Sequence, residues 1–135
     1  MENRKLKIYA DGGARGNPGP AAAGYVIADA NDRILEEGGE YLGATTNNQA
    51  EYRAIELALE KAKKYNPAQV DCFLDSELIV KQLAGAYRVK KLELKPKYDS
   101  VKALASSFGK ISFTHITREF NKRADAQVNK ILDKK

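Results

Sequence analysis

Cysteine and histidine are nearly missing from this chain: Cys72 and His115 stand alone among 135 residues. A single thiol cannot close an internal disulfide, and one thiol with one imidazole falls short of a zinc site's ligand count. Cys72, inside an apolar segment, reads as a small buried hydrophobe. No stretch approaches the roughly 20 consecutive apolar residues of a membrane span. Met1–Lys7 is rich in charge and lacks the apolar core of a secretory signal, so a cytoplasmic protein without membrane association is expected. Proline is sparse at 4 residues, and no internal repeat, low-complexity run or linker breaks the chain.

What is present fits one folded domain over residues 1–135. The length excludes a two-domain enzyme, and 43% hydrophobic with 30% charged residues suits a chain with a real core. Lys plus Arg number 23 against 18 Asp plus Glu, a net charge of +5 that points mildly to a polyanionic partner.

Apolar patterning predicts strands over Leu6–Ala10, Ala22–Ala28 and Ile34–Leu42, the last two joined by a turn at Asn31-Asp32. A glycine-rich segment from Asp11 to Pro20 is read as the loop that ends the first strand. It lacks the Gly-Lys-Ser/Thr ending of a nucleoside triphosphate loop. Ala54, Ile55, Ala58, Leu59 and Ala62 recur with helical spacing, predicting a helix from Asn47 to Tyr65 that Asn66-Pro67 ends. Val70–Leu74 and Ile111–Thr117 read as strands, and Ser76–Ala84, Pro96–Phe108 and Asn121–Leu132 as helices. This order describes an α/β domain, a mixed sheet flanked by helices.

Four acids do not fit a solvated surface. Glu36, Glu37, Glu56 and Glu60 are placed where water reaches them. Glu51, by contrast, lies four and seven positions before Ile55 and Ala58, on the apolar stripe of its helix. Asp125 stands three before Val128 and seven before Leu132, facing inward on the last helix. Asp11 and Asp75 fall where apolar strands end, at the strand termini where open sheets build sites. Any one of them alone reads more readily as a cap or turn residue than as a ligand. Four inward carboxylates without an inward Lys or Arg repel one another, and a divalent cation is the simplest compensation. All-oxygen ligation favours Mg²⁺ or Mn²⁺, and two such ions can clamp the attacking water and the leaving oxygen of a phosphodiester.

Asp11-Gly12-Gly13 with Gly16-Asn17-Pro18-Gly19, Thr45-Thr46-Asn47-Asn48-Gln49-Ala50-Glu51, Asp75-Ser76 and Asn121-Lys122-Arg123-Ala124-Asp125 together resemble type 1 ribonuclease H. The likeness runs from Leu6 to about Leu132. It implies a ribonuclease H-like fold with a five-stranded mixed sheet in the order 3-2-1-4-5. It also implies cleavage of the RNA strand of an RNA/DNA hybrid with two Mg²⁺, or Mn²⁺, ions per site, leaving 3′-hydroxyl and 5′-phosphate ends. Carried over by position, Asp11, Glu51, Asp75 and Asp125 become the metal-binding catalytic acids. Gly12, Gly13, Asn17, Thr46, Asn47, Asn48, Gln49, Ser76 and Glu77 become substrate contacts, with Thr46 and Asn17 near a phosphate of the DNA strand. Side-chain amides suit the 2′-OH that marks RNA, although capping is the competing reading for Asn47.

Three departures from the family's pattern set further expectations. Glu77 follows Ser76 where many members have Gln, replacing a donor by an acceptor. The loop before the last helix lacks the family's histidine. His115 alternates with Ile111, Phe113 and Thr117 and reads as a satisfied strand residue, while Arg118 or Glu119 lies nearer that loop. Catalysis without a histidine, or with a slower product step, follows. Third, the long form's basic protrusion is absent, as in compact members. Arg88, Lys90 and Lys91 remain to meet a duplex, or to form an ordinary solvated surface, and Tyr87 reads as the edge of the core. Two other functions share these features: a non-catalytic hybrid or duplex binder, and a same-fold nuclease acting on duplex RNA or RNA-DNA junctions. A monomer is expected.

Overall fold

A computed structural model describes residues 4–135. Five strands, β1 (Lys5–Ala14), β2 (Gly19–Asp29), β3 (Ile34–Thr45), β4 (Gln69–Leu74) and β5 (Lys110–His115), form one sheet in the order β3-β2-β1-β4-β5. The β1–β2 and β2–β3 pairs are antiparallel, and the β1–β4 and β4–β5 pairs are parallel. Helices α1 (Asn47–Ala62), α2 (Glu77–Leu83), α3 (Lys95–Ala105) and α4 (Lys122–Leu132) flank it. Among the described residues no helix is long and apolar enough to cross a membrane.

The principal core lies between the sheet and α1 to α3. Leu6, Ile8 and Ala10 of β1 alternate inward beside Val70, Cys72 and Leu74 of β4, against Tyr52, Ile55 and Leu59 of α1. Small residues at Ala50, Ala54, Ala58 and Ala62, all buried, bring α1 close to the strands. Gly12 marks the nearest approach: a Cβ there would stand 2.2 Å from the Ala50 carbonyl carbon. On the opposite face α4 packs Val128 and Leu132 against Ala22, and a Cβ on Gly24 would lie 2.6 Å from the Ala124 carbonyl oxygen.

The structure corrects several expectations. Strand β1 does not stop at Ala10 but continues through Asp11, Gly12 and Gly13 to Ala14, pairing with Gly24, Ala23, Ala22 and Ala21 of β2. Without side chains, the glycines permit a strand whose sides lie against both α1 and α4. Glu56 is buried rather than hydrated, because Arg53, Lys97 and the Ser100 hydroxyl converge on its carboxylate. Glu36 is half-buried and accepts hydrogen bonds from the Tyr25 and Tyr65 hydroxyls. His115 ends β5 in solvent instead of packing inside, and Tyr87 is 49% exposed instead of filling the core edge.

Candidate metal and nucleic-acid site

Topology brings the first three acids together. The parallel register of β1 and β4 ends at the pair Ala10 and Leu74, so Asp11 and Asp75 are the next residues on adjacent strands. Asp11 therefore sits at the end of the parallel pairing, within β1 rather than at its terminus. Glu51, in the second turn of α1, is placed by the close approach at Gly12, whose N–H donates to Glu51 Oε1 at 2.5 Å. One carboxylate oxygen from each of Asp11, Glu51 and Asp75 lies within 4.8 Å of the others. Asp125, in the first turn of α4, lines the same concavity of about 480 Å³, and the Asn129 amide donates to it at 3.2 Å.

The electrostatics follow from burial and like charge. Burial, then the negative charge of Asp75, then Asp125, push the Asp11 carboxyl up to about 8, against an opposing pull from Arg118. Burial, followed by Asp11 and Asp75, raises Glu51 well above the usual carboxylate range, although the Gly12 N–H favours its ionised form. Oxygen donors held together against their own repulsion match a hard divalent cation, which would reverse both shifts. Arg118, an exposed residue of the short 3₁₀ turn Arg118–Phe120, lines the rim of the concavity, and its charge pulls Asp11 weakly downward without a hydrogen bond or ion pair to the acids among the described residues.

The expected substrate residues divide by what they touch. Asn17 Oδ1 accepts from the Asn47 N–H at 3.0 Å, and Asn47 Oδ1 accepts from the Ala14 N–H at 2.8 Å, so both side chains brace the end of β1 against α1. Thr46, not Asn47, is the cap: its hydroxyl accepts from the Gln49 N–H at 3.2 Å. Gln49 Nε2 donates to the Glu93 carbonyl at 2.8 Å, fastening the α2–α3 connection to α1. Ser76 caps α2 through the Ile79 N–H. Gly12 and Gly13 line the acidic concavity.

Asn48 lines both that concavity and a second one of about 450 Å³, shared with Tyr87, Arg88, Lys90 and Lys91. The amide thus stands between the acids and the basic connection. Glu77 pairs with Lys81 at 3.5 Å on the exposed face of α2 and lines neither concavity.

Asn121 was legible only as part of a motif. It is buried, and its amide donates to Asp75 and to the Ala10 carbonyl. An Asn just before a helix reads as a cap, which hid this orientation.

A sheet ordered 3-2-1-4-5 with acids converging beside the end of its central parallel pair defines a ribonuclease H-like domain. The family described as Reverse transcriptase-like matches residues 9–131. Ribonuclease HI of Halobacterium salinarum is 42% identical over 129 residues, 96% of this chain and 65% of that protein. A bifunctional protein of Mycobacterium tuberculosis is 39% identical over 96% of this chain but only 36% of its own length. The crystal structure of LC11-RNase H1 in complex with RNA/DNA hybrid superposes with a TM-score of 0.92 at 44% identity, covering 96% of this chain and 97% of that one. LC11-RNase H1 was isolated from compost. The chain belongs to the type 1 ribonuclease H family, whose members depend on divalent metals. It spans about two thirds or less of the first two relatives' lengths.

Proposed function

We propose that this chain is an endoribonuclease that hydrolyses the RNA strand of RNA/DNA hybrids, leaving 3′-hydroxyl and 5′-phosphate ends. The observation that carries this reading is the convergence of Asp11, Glu51 and Asp75 within 4.8 Å beside Asp125. These four acids are the residues that would hold two divalent ions, Mg²⁺ or Mn²⁺. Bound there, the ions supply Lewis acidity at the scissile phosphate and lower the pKa of a water. The carboxylates fix where that charge sits. The Gly12 N–H keeps Glu51 turned into the site, and Arg118 adds positive charge at its edge.

The RNA strand crosses the acids and the DNA strand lies toward Thr46 and the basic connection. Asn48, between the two concavities, suits a groove-edge contact, since an amide both donates to and accepts from a 2′-OH. Arg88, Lys90 and Lys91 meet backbone phosphates. Asn17 and Asn47 have spent their oxygens on the backbone and present Nδ2 as donors, for which phosphate is a fitting acceptor. The reading takes residues 1–135 as one ribonuclease H domain acting as a cytoplasmic monomer.

The decisive experiment follows an end-labelled RNA strand, alone, paired with DNA and paired with RNA, in Mg²⁺ and in Mn²⁺. Asp75→Asn runs beside the parent. Hybrid-selective cutting is expected, with turnover in Asp75→Asn reduced by roughly three orders of magnitude, on the scale of several kcal/mol of transition-state charge stabilisation. Salt-sensitive hybrid binding without cutting in either metal would sink the nuclease reading in favour of a binding module. Equal cutting of duplex RNA would move the substrate.

A further inference from the structure

Asn121 lies outside the proposed carboxylate set but is built against it. It is 1% exposed and occupies the N-cap of α4. An asparagine there ordinarily turns its side-chain oxygen onto its own helix's second or third N–H. Asn121 makes no such bond. Its Nδ2 instead donates to the Ala10 carbonyl at 2.9 Å and to Asp75 Oδ2 at 3.1 Å. Its Oδ1 is buried without a hydrogen-bond partner among the described residues. The two accepting oxygens settle the amide's orientation, because a flip would set Oδ1 against both.

The backbone of the same residue acts on a third acid. The Asn121 carbonyl accepts from the Asp125 N–H at 3.1 Å and so starts the turn that carries that carboxylate. One side chain and its carbonyl thereby join the residue before Asp11, the Asp75 carboxylate and the base of Asp125. A cap has been given up and an acceptor left orphaned, both at a cost to the fold.

We propose that Asn121 is a positioning residue that acts through Asp75, holding its carboxylate in the orientation that binds the divalent cation. The inference rests on the metal-dependent reading above. Groups that hydrogen-bond a metal's ligands fix ligand orientation, and their loss weakens metal affinity by roughly 10–100-fold.

The test is calorimetric titration of Mn²⁺ into the intact protein without nucleic acid. It compares the parent, Asn121→Ala, Asn121→Leu, Asp75→Asn and the Asp75→Asn/Asn121→Leu double variant, each with a thermal melt. Asn121→Leu retains side-chain bulk without a donor. Both Asn121 variants are expected to bind Mn²⁺ about tenfold or more weakly. In the Asp75→Asn background, the Asn121→Leu step is expected to change affinity by less than about twofold, since the group it acts through is gone. Hybrid KM should stay near the parent's while kcat falls.

Mn²⁺ affinity near the parent's in folded Asn121→Leu overturns the proposal. So does an equal loss with and without the Asp75 carboxylate, which marks general structural damage, and so does failure of both variants to fold. If the parent binds no Mn²⁺, the metal reading of the site fails and takes the inference with it. Normal parent binding with unaffected variants removes the inference alone.

Discussion

Gly12 and Glu51 carry a requirement that acts through a single atom. The Gly12 N–H reaches Glu51 only because nothing but hydrogen stands between β1 and the Ala50 backbone. Gly12→Ala puts a Cβ 2.2 Å from a carbonyl carbon that cannot swing aside. We expect a loss of roughly 3 kcal/mol or more in urea unfolding, at the upper end of overpacking costs. An unfolding midpoint equal to the parent's would refute the close approach. Glu51 was legible in the sequence because a carboxylate on an apolar stripe is expensive and therefore conspicuous. Glu56 shows where that logic failed. Its burial is compensated by Arg53 and Lys97, the latter from another helix, and no local pattern announces a partner so distant.

At the scale of elements, the first residue of α1 and the Ser76 cap of α2 follow from the sequence, whereas the cap of α1 falls on Thr46 rather than Asn47 and most strand ends differ. Thr46 and Ser76 cap α1 and α2 through their hydroxyls, the chemistry their residue types favour. Thr46→Ala should cost about 1 kcal/mol of stability by denaturant titration while raising hybrid KM only if the hydroxyl also meets a phosphate. Unchanged stability would show that the cap is idle. The extension of β1 to Ala14 was not legible, since Gly-Gly signals a turn in isolation. Here β2 supplies the pairing that overrides it, from Asp11 opposite Gly24 to Ala14 opposite Ala21. His115 was placed in its strand correctly, yet β5 is an edge strand and leaves that residue in water.

Across the whole molecule, two sets of carboxylates give stability opposite dependences on pH. Burial and like charge hold Asp11 at about 8 against an ordinary 3.8, so between those values the metal-free folded chain binds more protons than the unfolded one. Stability contributed by that difference falls as pH rises through this window, and Glu51 acts in the same direction. For Glu36, burial pushes upward but is outweighed by hydrogen bonds from Lys64, Tyr25 and Tyr65, leaving it at about 2 against 4.5. Its contribution is complete above the unfolded value and is lost as pH falls toward about 2.

The melting temperature of metal-free protein should therefore decline from about pH 4 to about pH 8, and saturating Mg²⁺ should abolish that decline. A decline that persists with the metal would contradict the compensation argument. Glu36→Gln should make the acid limb shallower, with Glu40, Glu56 and Asp71 still contributing to it, and leave the decline above pH 4 unchanged. Binding should also depend steeply on salt. Replacing Arg88, Lys90 and Lys91 together by alanine should reduce the slope of log affinity against log salt by about one for each phosphate that is no longer neutralised, measured with uncleaved hybrid in Ca²⁺. An unaltered slope would leave those cations as ordinary solvated surface.

The sequence by itself determined the α/β class, the element order and the place of Glu51 on the apolar stripe of its helix, because periodicity and the cost of burying charge are local properties. Its motifs carried the family resemblance and the sheet order. Tertiary structure alone decided that the β1–β4 register sets Asp11 beside Asp75, that α1 approaches closely enough for Gly12 to hold Glu51, and that Asn121 turns from its helix to Asp75. Each depends on partners far apart along the chain, whose meeting is set by how the elements pack.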